Sequence, residues 1–191
     1  MNDRWYELFV QRGAILQGHF FLSSGRHSGT YIQCAKVLEH PRDAQALGEA
    51  LARKAAGRRV DRVISPPLGG ILIGYEVARS LDRPFLFPER GRSGALTLRR
   101  GFTLARGERV LVVEDVVTTG LTTSEVVRLL ERQGAEACGA LALVDRTEDH
   151  AAGGLPLEAL LHLPFPTYPP ESCPLCAQGV PGARPGSRKP G

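Results

Sequence analysis

The chain has 191 residues, 42% hydrophobic and 23% charged, the proportions of a soluble globular protein long enough to bury a proper core in one domain. Its net charge of +4 comes almost wholly from arginine, the lysines being Lys36, Lys54 and Lys189; scattered arginines suit anionic small molecules as well as nucleic acid, so charge alone selects neither. No apolar run is long enough for a membrane-spanning helix, and Met1-Asn-Asp-Arg-Trp5 lacks the apolar core of a signal peptide, so a cytoplasmic location is expected.

Asn2 or Asp3 can cap a first helix that carries Trp5, Leu8 and Phe9 on one face and ends at Gly13. Residues Ala14 to Leu22 read as extended, Ser23-Ser-Gly25 as a turn, and Thr30 to Cys34 as a partner strand, together a small N-terminal hood over roughly 14–36. Pro41 opens a helix that Gly57 closes. A short strand, Val60 to Ser65, runs into Pro66-Pro-Leu-Gly-Gly70, followed by a helix over Ile71 to Leu81 and a strand at Phe85-Leu-Phe87. From Pro88 to Gly107 arginines and glycines punctuate a long segment, the composition of a functional or a disordered loop. Buried strands are predicted at Val110 to Val113, Ala137 to Val144 and Leu157 to Leu163, with a helix after the first and a loop over His150 to Pro156. Strands alternating with helices give the α/β class, a central mostly parallel sheet flanked by helices. Residues 1–163 make a single domain. The Pro/Gly-rich tail 164–191 is partly disordered, above all beyond Val180.

The informative stretch is Val110-Leu-Val-Val-Glu-Asp-Val-Val-Thr-Thr-Gly-Leu-Thr-Thr-Ser-Glu125. A doubly buried strand ends at two carboxylates, Glu114 and Asp115. A loop of small and hydroxylic residues follows, and Thr122-x-x-Glu125 then reads as a capping box opening a helix. A helix N-terminus offers free N–H groups to a phosphate, the threonines add donors, and Gly120 lets the backbone come close. The carboxylates can accept hydrogen bonds from ribose hydroxyls at the carboxyl end of the strand. No Walker loop is present, since no Gly-Lys-Thr/Ser follows a glycine-rich turn. The ordinary alternative is a plain strand-to-helix turn. Cys173-Pro-Leu-Cys176 can be half of a zinc site, but no second CxxC or close pair of histidines in sequence completes it. A structural or incidental role is expected for it, with an incomplete or intersubunit metal site as the alternative.

The 110–125 stretch resembles, position by position, the PRPP (phosphoribosyl pyrophosphate) signature of type I phosphoribosyltransferases. Three further stretches are similar to the orotate branch of that family. Phe20-Phe-Leu-Ser-Ser-Gly-Arg-His-Ser28 with Tyr31-Ile-Gln33 looks like its hood, Ser65-Pro-Pro-Leu-Gly-Gly70 its pyrophosphate loop, and Leu143-Val-Asp-Arg146 the strand end whose arginine binds orotate. The tail Tyr168 to Cys176 is similar to a subgroup of bacterial members. The resemblance implies the type I fold with its hood, and transfer of the phosphoribosyl group from PRPP to orotate in pyrimidine biosynthesis. It also implies Mg²⁺ carried mainly by PRPP without a dedicated protein cage, and a homodimer whose lid, within 88–107, is shared between subunits.

By residue, the resemblance assigns PRPP to Glu114, Asp115, Val116, Val117, Thr118, Thr119, Gly120, Leu121 and Thr122, with Leu68 and Gly69, and orotate to Arg146 and Thr118. Asp115 is a catalytic candidate. The family carries a hood lysine where Ser23 stands, and lysine and histidine in the lid, where this chain has neither. Arg90 and Arg100 are the candidates to act in their place, the alternative for any single lid arginine being plain solvation. Two other readings are a transferase for another base and a PRPP-sensing regulator. The hood pattern and Arg146 speak against the first. Against the second, the N-terminus is too short for a DNA-binding module, so neither nucleic acid nor membrane is an expected partner.

Overall fold

The computed structural model describes residues 3–22 and 24–185, so the Asn2 cap and the lysine-for-Ser23 question lie outside the described residues. Helix α1 (Asp3–Gln11) buries Trp5 and Phe9. Strands β1 (Ile15–Phe21) and β2 (His27–Ile32) form the antiparallel hood hairpin. A short helix, α2 (Ala35–Leu38), leads to α3 (Pro41–Lys54), with Pro41 at its start, Asp43 in its first turn and Arg53 and Lys54 in its last, the charge order a helix dipole favours. The chain continues through β3 (Arg62–Ile64), α4 (Gly70–Leu81) and β4 (Phe85–Leu86), then a hairpin of β5 (Glu89–Arg90) and β6 (Leu96–Thr97). Strand β7 (Arg109–Val117), helix α5 (Leu121–Gln133), β8 (Glu136–Asp145), β9 (Ala151–Ala152) and β10 (Leu155–His162) complete the larger layer. The tail adds β11 (Thr167–Tyr168), the short helix α6 (Pro174–Ala177) and β12 (Gly182–Ala183).

The central sheet has strand order β4-β3-β7-β8-β10-β9, parallel throughout except for the β9–β10 pair. Because side chains alternate along a strand, β7 feeds two cores. Leu111 and Val113 pack with Val63, Leu141 and Leu143 against α1, α3 and α4, while Val110 and Val112 pack with Ile64 and Leu86 against Val126, Leu129 and Leu130 of α5. Both faces are therefore dry, which is why β7 and β8 read as continuous apolar runs. Helices α3 and α4 approach so closely that a Cβ on Gly48 would stand 2.5 Å from Cβ of Glu76. The hood sheet has order β11-β2-β1-β12, so the tail supplies both of its outer strands.

Four expectations change. Strand β7 runs past the acidic pair to Val117, because pairing with β8 continues through Glu114↔Ala142 to Val117↔Asp145. Thr122 does not cap α5: Gly120, in the left-handed region at φ 67°, precedes the helix, no side chain caps it, and Thr122 and Glu125 lie inside. The 88–107 segment is neither bare nor structureless, since Leu96 is buried and Leu98, Phe102 and Leu104 pack on the α5 core. Gly182–Ala183, beyond the point where order was expected to end, pairs in parallel with His19 and Phe20.

Candidate functional site

Alternation decides what the two carboxylates meet. Glu114 shares the face of Val110 and Val112, so it turns toward α5, where the Thr123 hydroxyl donates a 2.5 Å hydrogen bond to Oε1. It is only 7% exposed. Burial lifts its pKa to about 7, against the pull of the Thr123 hydrogen bond and with a further push from Asp115. Asp115 turns to the opposite face and lies on Gly69 at the start of α4, where a Cβ would sit 2.1 Å from its Oδ2. Burial raises its pKa too, while the N–H groups of Val116 and of Asp115 itself oppose the shift. The hood closes over this side. Burial and then the Asp115 charge push the Tyr31 hydroxyl and the Cys34 thiol up, and the Cys34 thiol donates to the Asp115 carbonyl at 3.8 Å.

Beyond Val117 the chain turns through exposed Thr118 and Thr119 into α5, whose first N–H groups have no side-chain cap. Gly120 is required twice: its φ is left-handed, and an added Cβ would come within 3.0 Å of Cα of Ala152. The Arg146 N–H donates to the Val117 carbonyl at 2.9 Å, which ties the end of β8 to the start of this loop. Asp145, beside it, is buried and pinned by the Thr147 N–H and hydroxyl (both 2.7 Å), His150 (2.6 Å) and His162 (3.3 Å). That cluster fixes the loop carrying Arg146. The Arg146 guanidinium makes one 3.3 Å hydrogen bond to the Phe165 carbonyl, and its buried Nε has no partner among the described residues. Thr118, Thr119 and Arg146 line one open cleft of about 640 Å³ with residues of the 147–154 loop.

The 65–69 loop holds a second orphan, the buried Ser65 hydroxyl, packed so tightly on Gly74 that a Cβ there would be 1.9 Å from Oγ. Leu68 is exposed and Gly69 touches Asp115. Val116 and Val117 are wall rather than lining: Val116 packs on the main core and Val117 beneath the β9 loop. Leu121 is 68% exposed. Arg90 and Arg100 are not in the cleft. Arg90 pairs with Glu125 of α5 at 2.7 Å and donates to the Gly94 carbonyl, and Arg100 pairs with Glu89 at 2.8 Å. Neither Glu114 nor Asp115 belongs to a group of three or more potential metal ligands among the described residues; a lone carboxylate on each face fits Mg²⁺ that arrives on phosphate oxygens, with Asp115 the one on the open side to meet it. Thr123 and Asp145 escaped the sequence reading; the hydroxyl nine residues after Glu114, in the first turn of the next helix, and the acid beside Arg146, were the available signals.

This arrangement, a phosphate-ready helix start between two carboxylates and a free arginine, sits at the carboxyl ends of parallel strands, where such sheets bind ligands. A family model described as "Phosphoribosyl transferase domain" matches residues 34–153. Orotate phosphoribosyltransferase of Desulforamulus reducens is 49% identical over 183 residues, 96% of this chain and 95% of that one. The Thermotoga maritima protein of the same name is 46% identical, with 95% and 97% covered. The solved structure of orotate phosphoribosyltransferase from Aeropyrum pernix superposes with a TM-score of 0.67 at 30% identity, over 82% of this chain and 92% of that one.

Proposed function

The chain belongs to the orotate phosphoribosyltransferases of the phosphoribosyltransferase family, and from that membership we propose the part each of its own residues takes in the reaction. The enzyme transfers the 5-phosphoribosyl group of PRPP to orotate, giving orotidine 5′-monophosphate and pyrophosphate in pyrimidine biosynthesis. Breaking the bond from C1 to pyrophosphate builds positive charge on the ribose ring, as in glycoside cleavage. Asp115, on the hood side, holds the ribose hydroxyls and faces that charge, and Glu114 joins it on giving up its proton and its contact with Thr123. The uncapped N–H groups at the start of α5 and the hydroxyls of Thr118, Thr119 and Thr122 take the 5′-phosphate, with Gly120 giving the backbone its close approach. Leu68 and Gly69 present the backbone of their loop to the pyrophosphate.

Arg146 forks onto the orotate carboxylate, with the Thr118 hydroxyl on the base. The observation that carries this reading is the shared cleft of Thr118, Thr119 and Arg146, in which the arginine keeps a buried donor unused. Mg²⁺, when bound with PRPP, supplies positive charge against the departing pyrophosphate. Arg90 and Arg100 add theirs once the lid closes, leaving Glu125 and Glu89. We further propose a cytoplasmic homodimer. An exposed apolar row on α4 and the turn before it, Leu68, Leu72 and Tyr75, supports a covered face, and four free cysteines suit a reducing compartment. The test is a spectrophotometric assay of orotate loss with PRPP and Mg²⁺ beside adenine, hypoxanthine and uracil. Turnover of orotate alone is expected; preference for another base would overturn the assignment of Arg146.

A further inference from the structure

The CxxC of the tail does find two histidines, and the hood supplies them. In a regular hairpin His19 and His27 would point to opposite faces. Strand β1 is bulged between Gln17 and Phe20: Gln17 pairs with Thr30 but Phe20 with Ser28. The extra residue shifts the register by one, so Phe21 rather than Phe20 opposes His27, and His19 joins them on one face. The tail then folds back. Cys173 precedes α6 and Cys176 lies in it, and all four ligand atoms fall within 4.8 Å of one another.

The separations are those of a tetrahedron around a cation. His19 Nε2 stands 3.1 Å from His27 Nδ1, 3.6 Å from Cys173 Sγ and 3.7 Å from Cys176 Sγ, and Cys176 Sγ is 3.3 Å from His27 Nδ1. Zinc bonds of about 2.0–2.1 Å to nitrogen and about 2.3 Å to sulfur give tetrahedral edges of about 3.3 Å between nitrogens and about 3.6 Å between nitrogen and sulfur. The other ring nitrogen of His19 lies 2.8 Å from the Val180 carbonyl. Donating there fixes the tautomer and leaves Nε2 with its lone pair aimed at the cluster, the outer contact a metal-bound histidine makes. His19 and Cys173 are each 3% exposed. Phe21 closes the cage, its ring centroid 4.9 Å from His19 and 4.5 Å from His27, with Gly182 pressed on the ring.

We propose that His19, His27, Cys173 and Cys176 bind one Zn²⁺ ion that fastens the C-terminal tail to the hood. Four protein ligands leave no open position, so the site is structural. Binding expels the two thiol protons, and the two thiolates with two neutral imidazoles complete the shell. What the ion secures is β12, the strand laid beside His19 and Phe20, which has little apolar surface of its own to hold it. The second cluster of potential ligands, Asp145 with His150 and His162, is already accounted for by hydrogen bonds among its members and Thr147.

The test uses the full-length protein, purified after removal of any affinity tag and dialysed exhaustively, with metals measured by mass spectrometry. About one zinc per chain is expected. It should be absent from a Cys173→Ser/Cys176→Ser variant and retained by His150→Ala. Cobalt exchanged into the wild-type protein should show thiolate charge-transfer bands and the intense visible bands of a four-coordinate ion, a readout that does not depend on any variant folding. Stripping the metal with a strong chelator should speed proteolysis of the tail at least tenfold, and zinc should restore resistance. Wild-type protein free of zinc, with Cys173 and Cys176 found as reactive thiols or as a disulfide, would overturn the proposal. So would zinc that survives the double substitution, or zinc lost from His150→Ala.

Discussion

Glu114 and Asp115 are neighbours in sequence on opposite faces of β7, and their contacts should give them different parts. Glu114, buried against Thr123, holds its proton to about pH 7. Because the folded chain keeps a proton that the unfolded chain releases above its ordinary value of 4.5, this group favours folding at low pH. That contribution falls as pH rises from 4.5 to about 7, by on the order of 3 kcal/mol. In the proposed role Glu114 meets PRPP as a carboxylate, so binding of Mg²⁺–PRPP should strengthen through this window and release a proton. Calorimetry in two buffers of different ionisation heat checks it, and Glu114→Gln should abolish the proton release. Asp115→Asn keeps the shape that sits on Gly69 and should fold normally, yet lose roughly ten- to a hundredfold in kcat/KM, the value of about 1.5–3 kcal/mol for a charge-assisted hydrogen bond. Arg146→Ala should raise the KM for orotate by a similar factor and leave that for PRPP nearly unchanged. A rise in the PRPP constant alone would assign the arginine to the other substrate.

At the scale of elements, the contact of α3 with α4 is made possible by one missing side chain. Gly48→Ala inserts a Cβ 2.5 Å from Glu76 Cβ and 2.9 Å from its backbone, and overpacking of this kind costs about 1–3 kcal/mol. Urea denaturation should show that loss in spite of alanine's better helix propensity. The proposed lid divides into a packed base and an exposed tip held, among the described residues, only by its own turn and by Arg90. Residues 91–95 project from the β5–β6 hairpin, while Leu96, Leu98, Phe102 and Leu104 are packed. Hydrogen exchange should therefore be fast at the tip and slow at the base, with the tip alone gaining protection when Mg²⁺–PRPP is added. Unchanged exchange across the whole segment would remove it from the site. Element identity was legible wherever one period ruled: β7 and β8 as apolar runs, α3 from Pro41 and its charge order, α5 from Val126, Leu129 and Leu130. Ends were harder. Nothing local says that β7 keeps pairing past two carboxylates, since the partner is Asp145 on β8. Thr122-x-x-Glu125 imitates a cap, but Gly120 starts the helix and Glu125 is used by Arg90. The anchoring of the lid base depends on α5, and that is a tertiary fact. The cysteine–histidine cluster was illegible because a bulge sets its geometry and its partners lie 149 and 154 residues apart.

For the whole molecule, the arginines of the lid stand away from the cleft within one chain, which gives the proposed sharing between subunits a direct check. An Asp115→Asn chain and an Arg90→Ala/Arg100→Ala chain, each of low activity, should recover turnover when mixed after subunit exchange, because one mixed site then has both an intact carboxylate and an intact lid. No recovery after confirmed exchange would keep the lid within its own chain. The order of the central sheet has another outcome. Strands β7 and β8, nine and ten residues long and mostly apolar, are segments that would recruit copies of themselves if an edge lay bare. They lie mid-sheet, and the outermost positions are the two-residue strands β4 and β9. Pro84 and Pro88 flank β4 closely and bring no N–H to offer an incoming chain. Self-templated polymerisation is thereby confined to molecules that have not yet closed the sheet, so the hazard in handling this enzyme falls on refolding from denaturant at high concentration and spares storage of the native form.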